Sequence, residues 1–190
     1  MRVLLILYIF MSPTAVLLSQ VKYEKEYRIH SRLVPESALA FLEQLPFQRS
    51  VKWYKEESLT ATTYEAKTKE NGQKYSIEFD STGLIEDVEV KIKWISIRET
   101  VRASIDQSLR QDFEKYRLIK IQRQWTGSVE DLVEAVKSES AGTQIIVRYE
   151  MVIKGKSETG WQWYEVTFSD AGDLLSRKQI ILRNTDNLEY

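Results

Sequence analysis

Residues 75–85 read YSIEFDSTGLI and residues 164–174 read YEVTFSDAGDL. These are one strand–turn–strand phrase written twice. Tyr75, Ile77, Phe79 and Gly83 coincide with Tyr164, Val166, Phe168 and Gly172 at a constant offset of 89. In each copy apolar and polar residues alternate, the period of a strand with one face on a core and the other in water. Gly83 and Gly172 fall where a tight turn asks for positive φ. Upstream, Tyr64-Glu65 matches Tyr149-Glu150 at an offset of 85, and four extra residues around 155–160 account for the difference.

Working outward, each phrase belongs to the same longer plan. In the first half, residues 23–29 alternate as an edge strand would. Pro35 opens a helix to about Leu45, with Ala38, Phe41, Leu42 and Leu45 on one face and Pro46 as its stop. Strands are predicted over 50–56, 60–69, 73–80 and 84–93. In the second half, Ser96-Ile97-Arg98-Glu99 has the form of a capping box. Ile97, Val101, Ile105, Leu109 and Phe113 then recur every four residues, the stripe of a helix of about four turns. Strands are predicted over 116–125, 144–154, 161–168 and 174–182. An insertion at 128–140, with Leu132, Val133 and Val136 inward, predicts a short extra helix. The expected fold is α+β: two tandem repeats, each a helix followed by a four-stranded antiparallel meander. Boundaries fall at 20–94 and 95–190.

Residues 1–19 read as a leader. Arg2 precedes an apolar run from Val3 to Phe10, and Pro13 and Ser19 lie in a cleavable region, with cleavage placed after Ser19. The run is shorter than the roughly 20 residues a membrane span needs, so no span is expected once the leader is removed. The chain has no cysteine, which excludes disulfides, thiolate metal sites and lipid attachment to an N-terminal cysteine. With 27 basic and 28 acidic residues interspersed, it lacks the basic field that nucleic acid attracts. The expectation is a periplasmic or secreted protein.

The phrases VKWYKEES (51–58), TTYEAKTKENGQKYSIEFD (62–80) and LIEDVEVKI (84–92) resemble the PepSY-like domain family, in particular its tandem, β-lactamase-inhibitor-protein-like group exported by Bacteroidota. The likeness covers nearly the whole chain after the leader. It implies a non-catalytic module that binds a protein partner in the envelope or outside the cell, in some relatives inhibiting an enzyme through an open sheet face. The chain lacks the disulfides of the best-known inhibitor.

Chemistry-bearing motifs are scarce. His30 is the sole histidine and has no motif around it. Asp80–Asp87 lacks the alternate-oxygen spacing of a calcium loop. Sequence-adjacent acids such as Glu86-Asp87 point to opposite sheet faces and make no dyad. No phosphate loop, HExxH or GxSxG is present, so neither cofactor nor metal is expected. Aromatics say more. If Tyr164, Val166 and Phe168 face the core, Trp161 and Trp163 lie on the water side of the sheet. Of the neighbours Trp53 and Tyr54, one must do the same. Trp161, Trp163, Trp53 and Tyr54 are therefore the candidate partner-binding surface, unless the inserted helix folds over them. The alternative function is a small-ligand carrier or sensor, its ligand held between the sheet and that helix.

Overall fold

The alternating runs become strands whose two faces meet different surroundings. In the computed structural model, residues 20–22, 24–58 and 61–181 are described; the expected leader lies outside them. The strands are β1 (Gln20–Lys22), β2 (Glu24–Ile29), β3 (Lys52–Ser58), β4 (Thr62–Glu70), β5 (Gln73–Phe79), β6 (Ile85–Lys91), β7 (Lys115–Thr126), β8 (Ile146–Ser157), β9 (Gly160–Ser169) and β10 (Leu174–Ile180). The helices are α1 (Glu36–Glu43), α2 (Glu99–Asp112) and α3 (Val129–Ser138).

Among the described residues all ten strands form one sheet, in the order β1-β10-β9-β8-β7-β6-β5-β4-β3-β2. The halves therefore share a sheet, joined where Val88 of β6 faces Trp125 of β7. The two ends of that order deserve comparison. Lys22 pairs with Ile180 on one edge, and Glu24 pairs with Ser58 on the other. One residue separates Lys22 from Glu24, so their Cα atoms lie within about 7.6 Å. A flat sheet of this width would hold its edges roughly 43 Å apart. The sheet must curl until its edges meet, and the N-terminal segment spans the seam. Strand direction agrees: nine strands from β2 to β10 alternate, so closing them brings like directions together. The seam is accordingly parallel.

All three helices pack on the outside of this barrel. Trp53, Ala66, Ile77, Val88 and Trp125 form one row across five strands, and α1 and α3 cover it with Ala38, Phe41, Leu132 and Val136. Under α2, Val101, Ile105 and Leu109 meet Ile121, Met151 and Val166. The expected glycine turns form at φ +84° for Gly83 and +92° for Gly172. Each is also where a helix lies down on its hairpin. Ser37 Oγ donates to the Thr82 carbonyl at 2.8 Å and Ser104 Oγ to that of Gly172 at 3.2 Å. A Cβ on Gly83 would stand 2.3 Å from Ser37 Oγ, and one on Gly172 2.9 Å from the Val101 carbonyl oxygen.

Two expectations are corrected. Ser96 does not cap α2: Ile97 is extended (φ −80°, ψ 140°), and the cap position falls on Arg98, whose side chain makes no cap bond. Ser128 instead caps α3, its Oγ accepting the Asp131 N–H at 3.2 Å. The sheet face away from the helices is not open to water either, because curling turns it into the barrel's interior.

Candidate functional site

The interior is built from the polar half of the alternation. Tyr54, Glu65, Glu78 and Asp87 face one another across four strands, and beside them run Lys67, Ser76, Glu89 and Gln124. No helix covers these residues, yet Glu89 is 2 % exposed, Glu65 and Glu165 5 % and Asp87 8 %. Closure explains that burial. A barrel of more than eight strands has more interior than small side chains fill, and long Glu, Lys and Gln chains occupy it here.

Two carboxylate groups within it fare differently. Glu26, Glu56 and Glu65 form the first group, and Lys67 Nζ lies 2.6 Å from Glu26 and 2.8 Å from Glu65. Burial pulls the Lys67 ammonium down, but Glu65 and Glu26 outweigh it and hold its pKa above the ordinary value. Burial likewise pushes Glu65 up, and Lys67 outweighs that, so its carboxyl titrates low. Glu78, Asp87 and Glu89 form the second group, their ligand-forming oxygens all within 4.8 Å of one another. Among the described residues none of the three has an ion-pair partner. Gln124 Nε2 donates to Asp87 Oδ2 at 2.8 Å and Gln122 Nε2 to Glu89 Oε2. Burial, then Glu150, pushes Asp87 up to about 7. Burial, then Glu89 and Asp87, holds Glu78 well above the carboxylate range; burial and Glu150 do the same to Glu89, against the pull of Lys120.

The candidate aromatics do not form one surface. Trp53 is 5 % exposed in the core beneath α1 and leaves the candidate set, because it is the outward member of its pair. Tyr54 points inward, with Lys67 Nζ 4.6 Å from its ring centroid. Trp163, part-buried on the inner face, carries Lys154 Nζ at 4.4 Å. Trp161 is the most open of the four, 45 % exposed, with the Arg117 guanidinium 5.2 Å from its centroid. It borders a rim cleft of about 510 Å³ with Arg110, Phe113, Tyr116, Arg117 and Leu118. The Tyr116 hydroxyl donates to Asp106 there, and burial followed by that bond pushes it up to about 12. The ring of Phe113 rests on Gly155, where a Cβ would meet it at 2.4 Å.

Of the four candidate aromatics, the inserted helix shares a core only with Trp53. Leu132, Ala135 and Val136 are at most 2 % exposed against the outer face, and a cleft of about 330 Å³ runs beside the helix along Glu134, Ser138 and Ile145. His30 is exposed beside the turn at Ser31–Leu33. The buried carboxylates are what a reading of motifs misses. Their signal was the acid at every second position of EDVEV, paired with EF on the strand before, which alternation by itself assigns to water.

No protein-family model matches the chain, nor does any curated protein. Solved structures do. A DUF2874 family protein from Bacteroides uniformis superposes with a TM-score of 0.52 at 11 % identity, over 77 % of this chain and 89 % of its own. A Bacteroides eggerthii protein, described provisionally as periplasmic, gives 0.50 at 16 % identity, over 77 % and 88 %. The likeness shows the fold. A BLIP-like protein from Bacteroides fragilis covers 81 % of this chain and 91 % of its own at 15 % identity; its TM-score of 0.48 is too low to argue from.

Proposed function

We propose that this chain is an exported, non-catalytic binding module: two PepSY-like units, 20–94 and 95–190, fused into one barrel that holds a protein partner at its rim. The observation that carries the reading is Trp161, a large aromatic 45 % exposed, stacked on Arg117 and flanked by the Phe113–Tyr116 cleft. An exposed indole with an arginine beside it combines apolar area, fixed geometry and charge, the composition of interface hot spots. One nearby residue widens the patch: Ile181, 43 % exposed, follows Ile180, which pairs with Trp163. Inhibition or regulation of an envelope or secreted enzyme is the form of partnership that the family resemblance implies. Export rests on the leader pattern at 1–19 and cleavage after Ser19, and a neighbour provisionally described as periplasmic supports it.

The test is an affinity capture from envelope and secreted fractions of the source organism, with the native protein beside Trp161→Ala and the double variant Trp161→Ala/Trp163→Ala. Because Trp161 is exposed, its variant stays folded. A partner retained by the native protein and lost by Trp161→Ala supports the rim; a partner held equally by both sinks it. Loss only in the double variant would move the site to the inner edge around Trp163.

A further inference from the structure

Within the barrel interior, the contrast between the two carboxylate groups carries an inference of its own, independent of any protein partner. The Glu26–Glu56–Glu65 group brings its own counter-charge: Lys67 bonds two of its members. The Glu78–Asp87–Glu89 group has no such ammonium, although Asp87 and Glu89 are 8 % and 2 % exposed. Lys120 acts on Glu89 only at longer range, and Glu56, Glu65, Glu86 and Glu150 add further negative charge around the three. Burying carboxylates without a cation is among the costliest things a fold can do.

The polar contacts are arranged as a coordination site would need. Glu78 and Asp87 face each other across β5 and β6, and Glu89 stands two residues along on the same face. From β7, Gln124 holds Asp87 Oδ2 and Gln122 holds Glu89 Oε2, the second-layer bonding that orients metal ligands. Asp87 Oδ1 is left fully buried with no hydrogen-bond partner, and Gln122 Oε1 likewise. The carboxylate oxygens lie within 4.8 Å of one another, close enough to reach one calcium ion from different sides. We infer that Glu78, Asp87 and Glu89 hold a divalent cation inside the barrel. The donors are carboxylate oxygens alone, without histidine or cysteine, which selects a hard ion. Three carboxylates from two strands suit calcium, which accepts irregular oxygen shells, better than magnesium, which demands near-ideal octahedral geometry.

The test starts from protein expressed from the full chain, stripped with EDTA and titrated with CaCl₂ at pH 8 by calorimetry and thermal melting. One calcium per chain and a rising melting temperature are expected. Asp87→Asn/Glu89→Gln should weaken binding beyond the roughly 10–100-fold that losing an outer-layer partner costs. Glu26→Gln, at the group Lys67 already serves, should bind as the native protein does. Should the double variant fail to fold, TbCl₃-soaked crystals of the native protein decide: an anomalous peak between the three carboxylates supports the site. A peak only elsewhere, no heat up to millimolar calcium, or equal affinity in a folded double variant overturns it.

Discussion

Lowering the pH from 8 to 5 should stabilise this protein, in EDTA, by several kcal/mol. The reasoning rests on Asp87, 8 % exposed and facing Glu78. Its carboxyl titrates near 3.8 in an unfolded chain and at about 7 in the fold. An acid with a raised folded pKa binds more protons in the native state between those values, so stability falls as pH climbs through that window. At about 1.4 kcal/mol per pH unit over the two units from pH 5 to about 7, Asp87 alone costs the fold about 3 kcal/mol at pH 8 relative to pH 5. Glu78 and Glu89 are shifted the same way and add to the trend. Glu65 is shifted the opposite way, but its contribution is lost only as pH falls below the ordinary carboxylate range, outside this window. For a domain stable by about 5–15 kcal/mol the change is large. Urea unfolding, followed by tryptophan fluorescence, would show the midpoint dropping by at least about 1 M between pH 5 and pH 8 at a typical slope. Asp87→Asn should unfold at higher urea than the native protein at pH 8 and show a flatter profile. A native midpoint that is level or rises towards pH 8 would refute the account of an uncompensated buried acid.

Other consequences can be checked with the same unfolding assay. Gly83→Ala should cost at least about 2 kcal/mol, because φ is +84° and the new Cβ meets Ser37 Oγ and Pro35 Cβ. Trp53→Ala should cost about 3–5 kcal/mol by emptying the core under α1, whereas Trp161→Ala should cost under about 1 kcal/mol, since only the Arg117 contact is lost. Gly155→Ala should displace the Phe113 ring and cost about 1–3 kcal/mol through overpacking. Val21→Pro places a proline ring in the middle of the parallel seam, opposite Gln179. Amide exchange at Lys178–Ile180 should then accelerate while the α1 core stays protected; uniform protection throughout would mean that the seam is not what closes the barrel.

Much of the fold was legible because its signals are local. The alternation of 73–79 and 160–169, the glycines of the two turns and the four-residue stripe from Ile97 each depend on neighbours close in sequence, and strands and helices stand where they indicate. The false capping box at Ser96 shows the limit of such signals: the motif is intact, but an extended Ile97 moves the helix start beyond its reach.

The site was hidden for a different reason. Period-2 alternation sorts side chains into two faces, and a chain with helices to cover one face invites the assumption that the other is wet. Whether it is wet depends on closure, and closure here is a long-range event. Residues 20–22 must find β10 while residues 24–29 find β3, pairings that no local pattern announces. Once the seam forms, the same acids change character. Glu65 and Lys67 turn from surface charges into a buried ion pair, and Asp87 and Glu89 become carboxylates in need of a cation or a proton. Trp53 and Trp161, alike in composition, separate into a core anchor and an exposed rim residue. Nine alternating strands leave one parallel seam, and that seam decides which polar residues of this sequence meet water.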